Sequence, residues 1–227
     1  MSTKKNVTPE TGIDNLNDSL TSMTAKVQDN KKIISIVCLA VIAVVVIVLA
    51  YFYFFHGPSI NKANDAVGAA DLTLAQGNDS VALAQYMNVA DQYGHDAANR
   101  AALQSAILLY QKGDYDKALT YLGKYSAKED IIGAAAYSLK GDCYVNLDKL
   151  PEAVKCYKDA INQSDDNPSY TPYFMLKLAR VYAAMGNHAD EAAMYKDVMT
   201  KYPTYGAANN LDIEKYYDRA MLQAEAK

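Results

Sequence analysis

Residues 33–55 form a run of 23 positions with no charge, no proline and no glycine, from Ile33-Ile34-Ser35 to the five consecutive aromatics Tyr51-Phe52-Tyr53-Phe54-Phe55. A bilayer-spanning helix needs about 20 apolar residues at about 1.5 Å rise each, and lipid offers no partner for an unpaired backbone group, so the run must be helical if it spans. Lys31 and Lys32 mark its first edge, the aromatics mark its second, and His56-Gly57-Pro58 is expected to break the helix as the chain leaves the membrane. The other 204 residues carry all 48 Lys, Arg, Asp and Glu side chains, so a wholly soluble protein is excluded at the outset.

A cleaved leader fits the run poorly, because 32 residues precede it and bulky aromatics follow it where a small-x-small site is required. Cys38 follows Val37 rather than the small residue of a lipoprotein signal. The expectation is an uncleaved anchor. Lys26, Lys31 and Lys32 crowd the N-terminal side, whereas Lys62 is the only Lys or Arg between His56 and Asn99. By the distribution of basic residues, the N-terminal tail (residues 1–32) stays in the cytoplasm and the C-terminal part (residues 58–227) is translocated. In a bacterium this makes a single-pass inner-membrane protein with a periplasmic domain. Within the tail, Ile13, Leu16, Leu20, Met23 and Val27 recur at spacings of 3, 4, 3 and 4, an amphipathic helix that would either pair with its own copy or lie on the membrane.

Charge divides the same way. The tail holds five basic and four acidic side chains, and residues 58–227 hold 17 and 22, for a net of −4 overall. With a sequence pI near 5.4 and no basic stripe, nucleic-acid binding is not expected.

Beyond the membrane run the chain reads as helix after helix, with turns at Gly77-Asn78-Asp79, Gly113-Asp114, Asp148-Lys149 and Gly186-Asn187, spaced by 36, 35 and 38 residues. That spacing calls for a repeat. In residues 134–166, Tyr137, Gly141 and Tyr144 fall on one face of a first helix and Ala153, Tyr157 and Ala160 on one face of a second. Gly141 is expected to let the first helix approach Ala153, and Pro151 sits where a helix start tolerates its missing N–H.

This order resembles the tetratricopeptide repeat, a helix–turn–helix unit of about 34 residues. The copy at 134–166 matches all six positions. The copy at 99–130 keeps Ala106, Gly113-Asp114-Tyr115 and Ala118 but has Leu109 and Leu122 for the aromatics. The copy at 172–204 keeps Ala179, Tyr182, Gly186, Tyr195 and Pro203, yet Glu191 holds the small-residue position with Ala192 one step late, which predicts a rotated or bulged second helix. Ala70, Gly77, Ala82 and Tyr86 form a degenerate first copy, and residues 207–225 read as an amphipathic cap with Ile213, Tyr216, Tyr217, Ala220, Met221 and Ala224 inward. The expected fold is all-α: one N-terminal transmembrane helix, a tetratricopeptide-repeat α-solenoid of about four hairpins, and a C-terminal capping helix.

No phosphate loop, nucleophile elbow, paired-histidine helix or Cys-x-x-Cys is present in the sequence, so neither catalysis nor a cofactor is expected. His56, His95 and His188 read as surface histidines, and Glu129-Asp130 and Asp165-Asp166 as solvated loops. Cys143 and Cys156 sit on the two antiparallel helices of one hairpin, either as a disulfide or as two small buried thiols. The repeat's geometry implies a protein-binding groove lined by the first helices: Arg100, Leu103, Ile107 and Tyr110; Ser138, Asp142, Val145 and Asn146; Tyr173, Leu176 and Arg180. Leu103 and Ile107 stand where repeats that bind chaperone tails carry a Lys/Asn clamp, so that specialisation is not expected.

Tail, anchor and translocated repeats together resemble the YfgM-like family. That resemblance implies an ancillary subunit of the SecYEG translocon that handles secreted proteins beside periplasmic chaperones and client polypeptides. The alternative is a self-associating scaffold, a homo-oligomer within an envelope, division or secretion complex.

Overall fold

The structure, a computed structural model, describes residue 21 and residues 31–226. The amphipathic stretch of the tail lies outside the described residues. The chain divides into two compact units, residues 1–58 and 59–227.

In the first unit, α1 (Lys31–Tyr51) buries none of its residues. Among the described residues, the helix that begins at Lys31 alone has the length and apolar composition to cross a membrane. The expected break at His56-Gly57-Pro58 does not occur. A π-helical turn, Phe52–His56, follows α1, Gly57 donates its N–H to the Phe52 carbonyl five residues back, and α2 (Gly57–Ala75) starts at once. The widened turn shifts the hydrogen-bond register just ahead of Pro58, which has no N–H to give.

The second unit stacks helical hairpins: α2 with α3 (Asp79–Gln92), α4 (His95–Gln111) with α5 (Tyr115–Lys124), α6 (Asp130–Asn146) with α7 (Leu150–Gln163), and α8 (Thr171–Ala184) with α9 (His188–Lys201). A short α10 (Tyr205–Ala208) leads to α11 (Ile213–Glu225), which packs on α9 as the cap. The described residues include no strand.

Each hairpin turns through one residue with positive φ: Gly77 at 78°, Gly113 at 79°, Asp148 at 57° and Gly186 at 69°. That residue and its successor donate back into the last helical turn, as in Gly113 to Tyr110 and Asp114 to Leu109, both at 2.9 Å. The turns fix the register. Counted from them, Ala70, Ala106, Gly141 and Ala179 are equivalent on the first helices, and the three alanines among them are fully buried. Ala82, Ala118, Ala153 and Glu191 are equivalent on the second helices and are fully buried as well. The core is therefore a line of small residues where helices cross, filled out by Tyr86, Tyr121, Tyr157 and Tyr195.

Three expectations need correction. A Cβ on Gly141 would meet the Tyr157 ring at 2.9 Å, so the glycine makes room for that ring rather than for Ala153. The helix bearing Glu191 is neither bulged nor out of register: α9 is regular, Ala192 is buried beside Glu191, and Tyr195 stands where Tyr157 stands one hairpin earlier. Glu191 is tolerated because it is paired. His188 Nδ1 lies 2.8 Å from its Oε2, and Arg219 of the cap donates to its Oε1 at 3.2 Å. His188 is accordingly the first residue of α9, mostly covered, and not a surface histidine.

Candidate protein-binding cleft

On a first helix, positions spaced by three and four residues share one face. In register, the inward stripe of α4 is Arg100, Leu103, Ile107 and Tyr110; that of α6 is Ala135, Ser138, Asp142 and Val145; that of α8 is Tyr173, Leu176 and Arg180. On α6 the stripe begins with two small side chains, Ala135 and Ser138. Large residues flank them on both sides. The result is a cleft of about 480 Å³ walled by Leu103 and Ile107 of α4, Ile132 and Ala135 of α6, and Tyr170, Tyr173 and Phe174 around the start of α8. Its rim is exposed: Ile132 is 46% accessible and Tyr173 45%.

The polar groups of the cleft are few. Asp142 accepts from the Tyr157 hydroxyl at 2.6 Å and from Lys177 Nζ at 2.6 Å, and Lys177 Nζ stands 5.0 Å from the Tyr173 ring centre. Burial, and then the hydrogen bond to Asp142, push the Tyr157 hydroxyl well above its ordinary pKa. Lysine and aspartate thus neutralise each other, leaving an apolar floor. Ser138, 3% accessible, lines the cleft and its Oγ finds no hydrogen-bond partner among the described residues. A buried hydroxyl without a partner costs stability.

Of the groove residues expected from sequence, Leu103, Ile107, Ser138, Asp142 and Tyr173 come together in this cleft. The others do not line it. Arg100 is engaged with Asp71, which also accepts from the Tyr86 hydroxyl, so Arg100 ties the first two hairpins together. Tyr110 leans on Tyr115 with ring centres 5.5 Å apart, Asn146 donates to the Asp142 carbonyl at 2.8 Å, and Val145 is exposed. Leu176 and Arg180 line a second hollow of about 250 Å³, closed by Tyr195 of α9 and by Leu211, Ile213, Tyr216 and Arg219 of the cap segment. Sequence reasoning missed Ala135, Lys177, Tyr170, Phe174 and Ile132. Ala135 was recoverable, since it lies 35 residues after Arg100 in the same register. Tyr170 precedes its helix and carries no periodic mark.

Cys143 and Cys156 are separate, buried thiols. Burial pushes the Cys143 thiol up to about 12. Asp130 begins α6 rather than lying in a loop, while Asp165 and Asp166 sit in the turn after α7, Asp166 accepting from Tyr202.

A family model for the tetratricopeptide repeat-like domain matches residues 56–183, and one for the tetratricopeptide repeat matches residues 173–205. No curated protein matches the sequence significantly. Among solved structures, a crystal structure of MamA is similar with a TM-score of 0.51 at 18% identity, over 69% of this chain and 95% of that one. A Podosopora anserina kinesin light chain with nearly identical tetratricopeptide-like repeats gives a TM-score of 0.51 at 12% identity, over 73% and 95%. At these identities the likeness is one of fold.

Proposed function

The chain belongs to the tetratricopeptide repeat-like family, whose domains mediate protein–protein interaction, and from that premise we propose that it is a membrane-anchored module that holds polypeptide segments. The proposed anchor is the uncharged run 33–55, with the N-terminus in the cytoplasm and the solenoid in the periplasm of a bacterial inner membrane. The proposed setting is the YfgM-like one, beside the SecYEG translocon and periplasmic chaperones. The observation that carries the reading is the cleft: an apolar floor and exposed apolar and aromatic edges suit a chain with apolar side chains. Tethering keeps such a cleft at high local concentration near emerging chains. Nothing in this role requires a cofactor or a catalytic residue.

A photo-cross-linking residue in place of Tyr173, activated in intact membranes and read by mass spectrometry, tests it. Adducts with translocon subunits and nascent secretory chains are expected. Adducts with the chain itself alone would overturn the reading in favour of a second one, a self-associating scaffold. That second reading has an observation behind it: Leu72 and Val81 on the first hairpin are 65% and 54% accessible, beside a shallow apolar hollow of about 450 Å³ lined by Ala66, Ala69, Val81 and Ala84.

A further inference from the structure

Arg180 is exposed and has no hydrogen-bond or ion-pair partner among the described residues, unlike Arg100, which is held by Asp71, and Lys177, held by Asp142. It stands at the mouth of the hollow against the cap. There Tyr195 and Tyr216 stack with ring centres 5.9 Å apart, and the Arg219 guanidinium lies 5.5 Å from the Tyr216 ring. Arg219 gives one hydrogen bond to the buried Glu191 and keeps its side chain 54% accessible. Two guanidinium charges against one carboxylate leave the hollow with a net positive charge. Leu176, Leu211 and Ile213 give part of its wall an apolar surface. An anion carried on a short hydrocarbon stem fits that combination, and a guanidinium fork suits a carboxylate in particular.

This hollow is not isolated from the cleft. Leu176, Lys177 and Arg180 lie three, four and seven residues after Tyr173 on α8, so the cleft and the hollow open along one helix face. From Tyr173 to Arg180 the helix rises about 10 Å, which an extended chain at about 3.3 Å per residue covers in about three residues. Beyond Arg180 the hollow is walled by Leu211, Ile213 and Arg219 of the cap segment.

Resting on the proposed reading of the cleft, we infer that the bound segment carries a large apolar residue for the cleft and, about three residues away, an acidic side chain that pairs with Arg180. The ligand class is therefore an extended, chain-internal acidic–aromatic segment. The cleft takes its large residue and Arg180 sets which segments are preferred.

The test uses the full-length protein in mild detergent and fluorescein-labelled ten-residue peptides of Gly and Ser. One carries a single Phe and a single Glu three residues apart. The Glu→Gln peptide should bind at least about tenfold more weakly, the loss of one charge-assisted pair. In Arg180→Glu, with helicity and melting temperature unchanged, the preference should reverse in favour of a Lys peptide. Equal affinity for the Glu and Gln peptides would overturn the inference while leaving the cleft reading intact, provided Phe→Ala still abolishes binding. If no peptide binds, the cleft reading itself fails. A peptide ending at the same place, its terminal carboxylate binding as tightly as the internal Glu, would overturn the assignment to a chain-internal segment. Sedimentation showing a dimer that the peptide dissociates would place a second copy in the cleft and overturn it as well.

Discussion

The second and third hairpins share one backbone plan and use it for opposite ends. At the inward position six residues before the turn, the third hairpin has Asp142 and the second has Ile107; at the position nine residues after it, the third has Tyr157 and the second Leu122. In the third, Tyr157 and Asp142 join with Lys177 of the next hairpin into a polar latch between repeats. In the second, the same place is a hydrocarbon wall, and Ile107 faces the cleft. The first hairpin repeats the latch with Asp71, Tyr86 and Arg100. A repeat therefore holds its register through turns and small residues, and the inward positions are left free to be either mortar or binding surface.

The comparison breaks first, and hardest, at the small position. Gly141→Leu should drive its side chain into the Tyr157 ring, already 2.9 Å from where a Cβ would stand, at a cost of about 1–3 kcal/mol in stability. Thermal unfolding monitored by circular dichroism would read it, and an unchanged melting temperature would contradict the assigned register.

Next in size is the latch. Tyr157→Phe removes one hydrogen bond to a carboxylate that Lys177 still partners, so a loss of about 1 kcal/mol is expected, with Tyr86→Phe losing a similar amount. Leu122 has no such bond to lose, and Leu122→Phe should leave the latch untouched. The pH dependence separates the latch from packing. The folded state raises the Tyr157 hydroxyl above its ordinary value near 10, so it contributes stability below that pH and loses it as the pH climbs further. The melting temperature should fall above about pH 10, and less steeply in Tyr157→Phe. Parallel slopes for the two proteins would count against a buried, hydrogen-bonded hydroxyl.

The smallest expected effect sharpens the comparison at the turn. Asp148 takes the left-handed conformation that Gly77, Gly113 and Gly186 adopt freely. Asp148→Gly should stabilise the third hairpin by about 0.5 kcal/mol, the relief of left-handed strain less the added chain entropy. Denaturant midpoints would resolve it.

Much of this architecture could be read from residues. The turn spacing, the small–aromatic order and Pro151 each encode a local requirement, and local requirements survive without knowledge of neighbours. Glu191 could not be read this way. Its position demands a small residue only if the next element is another repeat helix; here the next element is a cap that brings Arg219. Arg100 and Arg180 occupy the same kind of face in sequence, yet one is spent on Asp71 and the other is free, a difference set by tertiary pairing. The cleft was half legible for a related reason. Its large walls, Leu103, Ile107 and Tyr173, announce themselves, but the space between them depends on Ala135 and Ser138 being small, and an absent side chain is easy to overlook.

That space is also where the account is most directly tested. Ala135→Trp fills the cleft from an exposed position, and Ala84→Trp places the same bulk on the first hairpin as a control. Fluorescence anisotropy of a reduced, carboxymethylated polypeptide titrated with full-length protein in detergent gives the affinity of each. The account predicts binding at least about tenfold weaker for Ala135→Trp, wild-type affinity for Ala84→Trp, and equal melting temperatures for all three; equal affinities across the three proteins would contradict it.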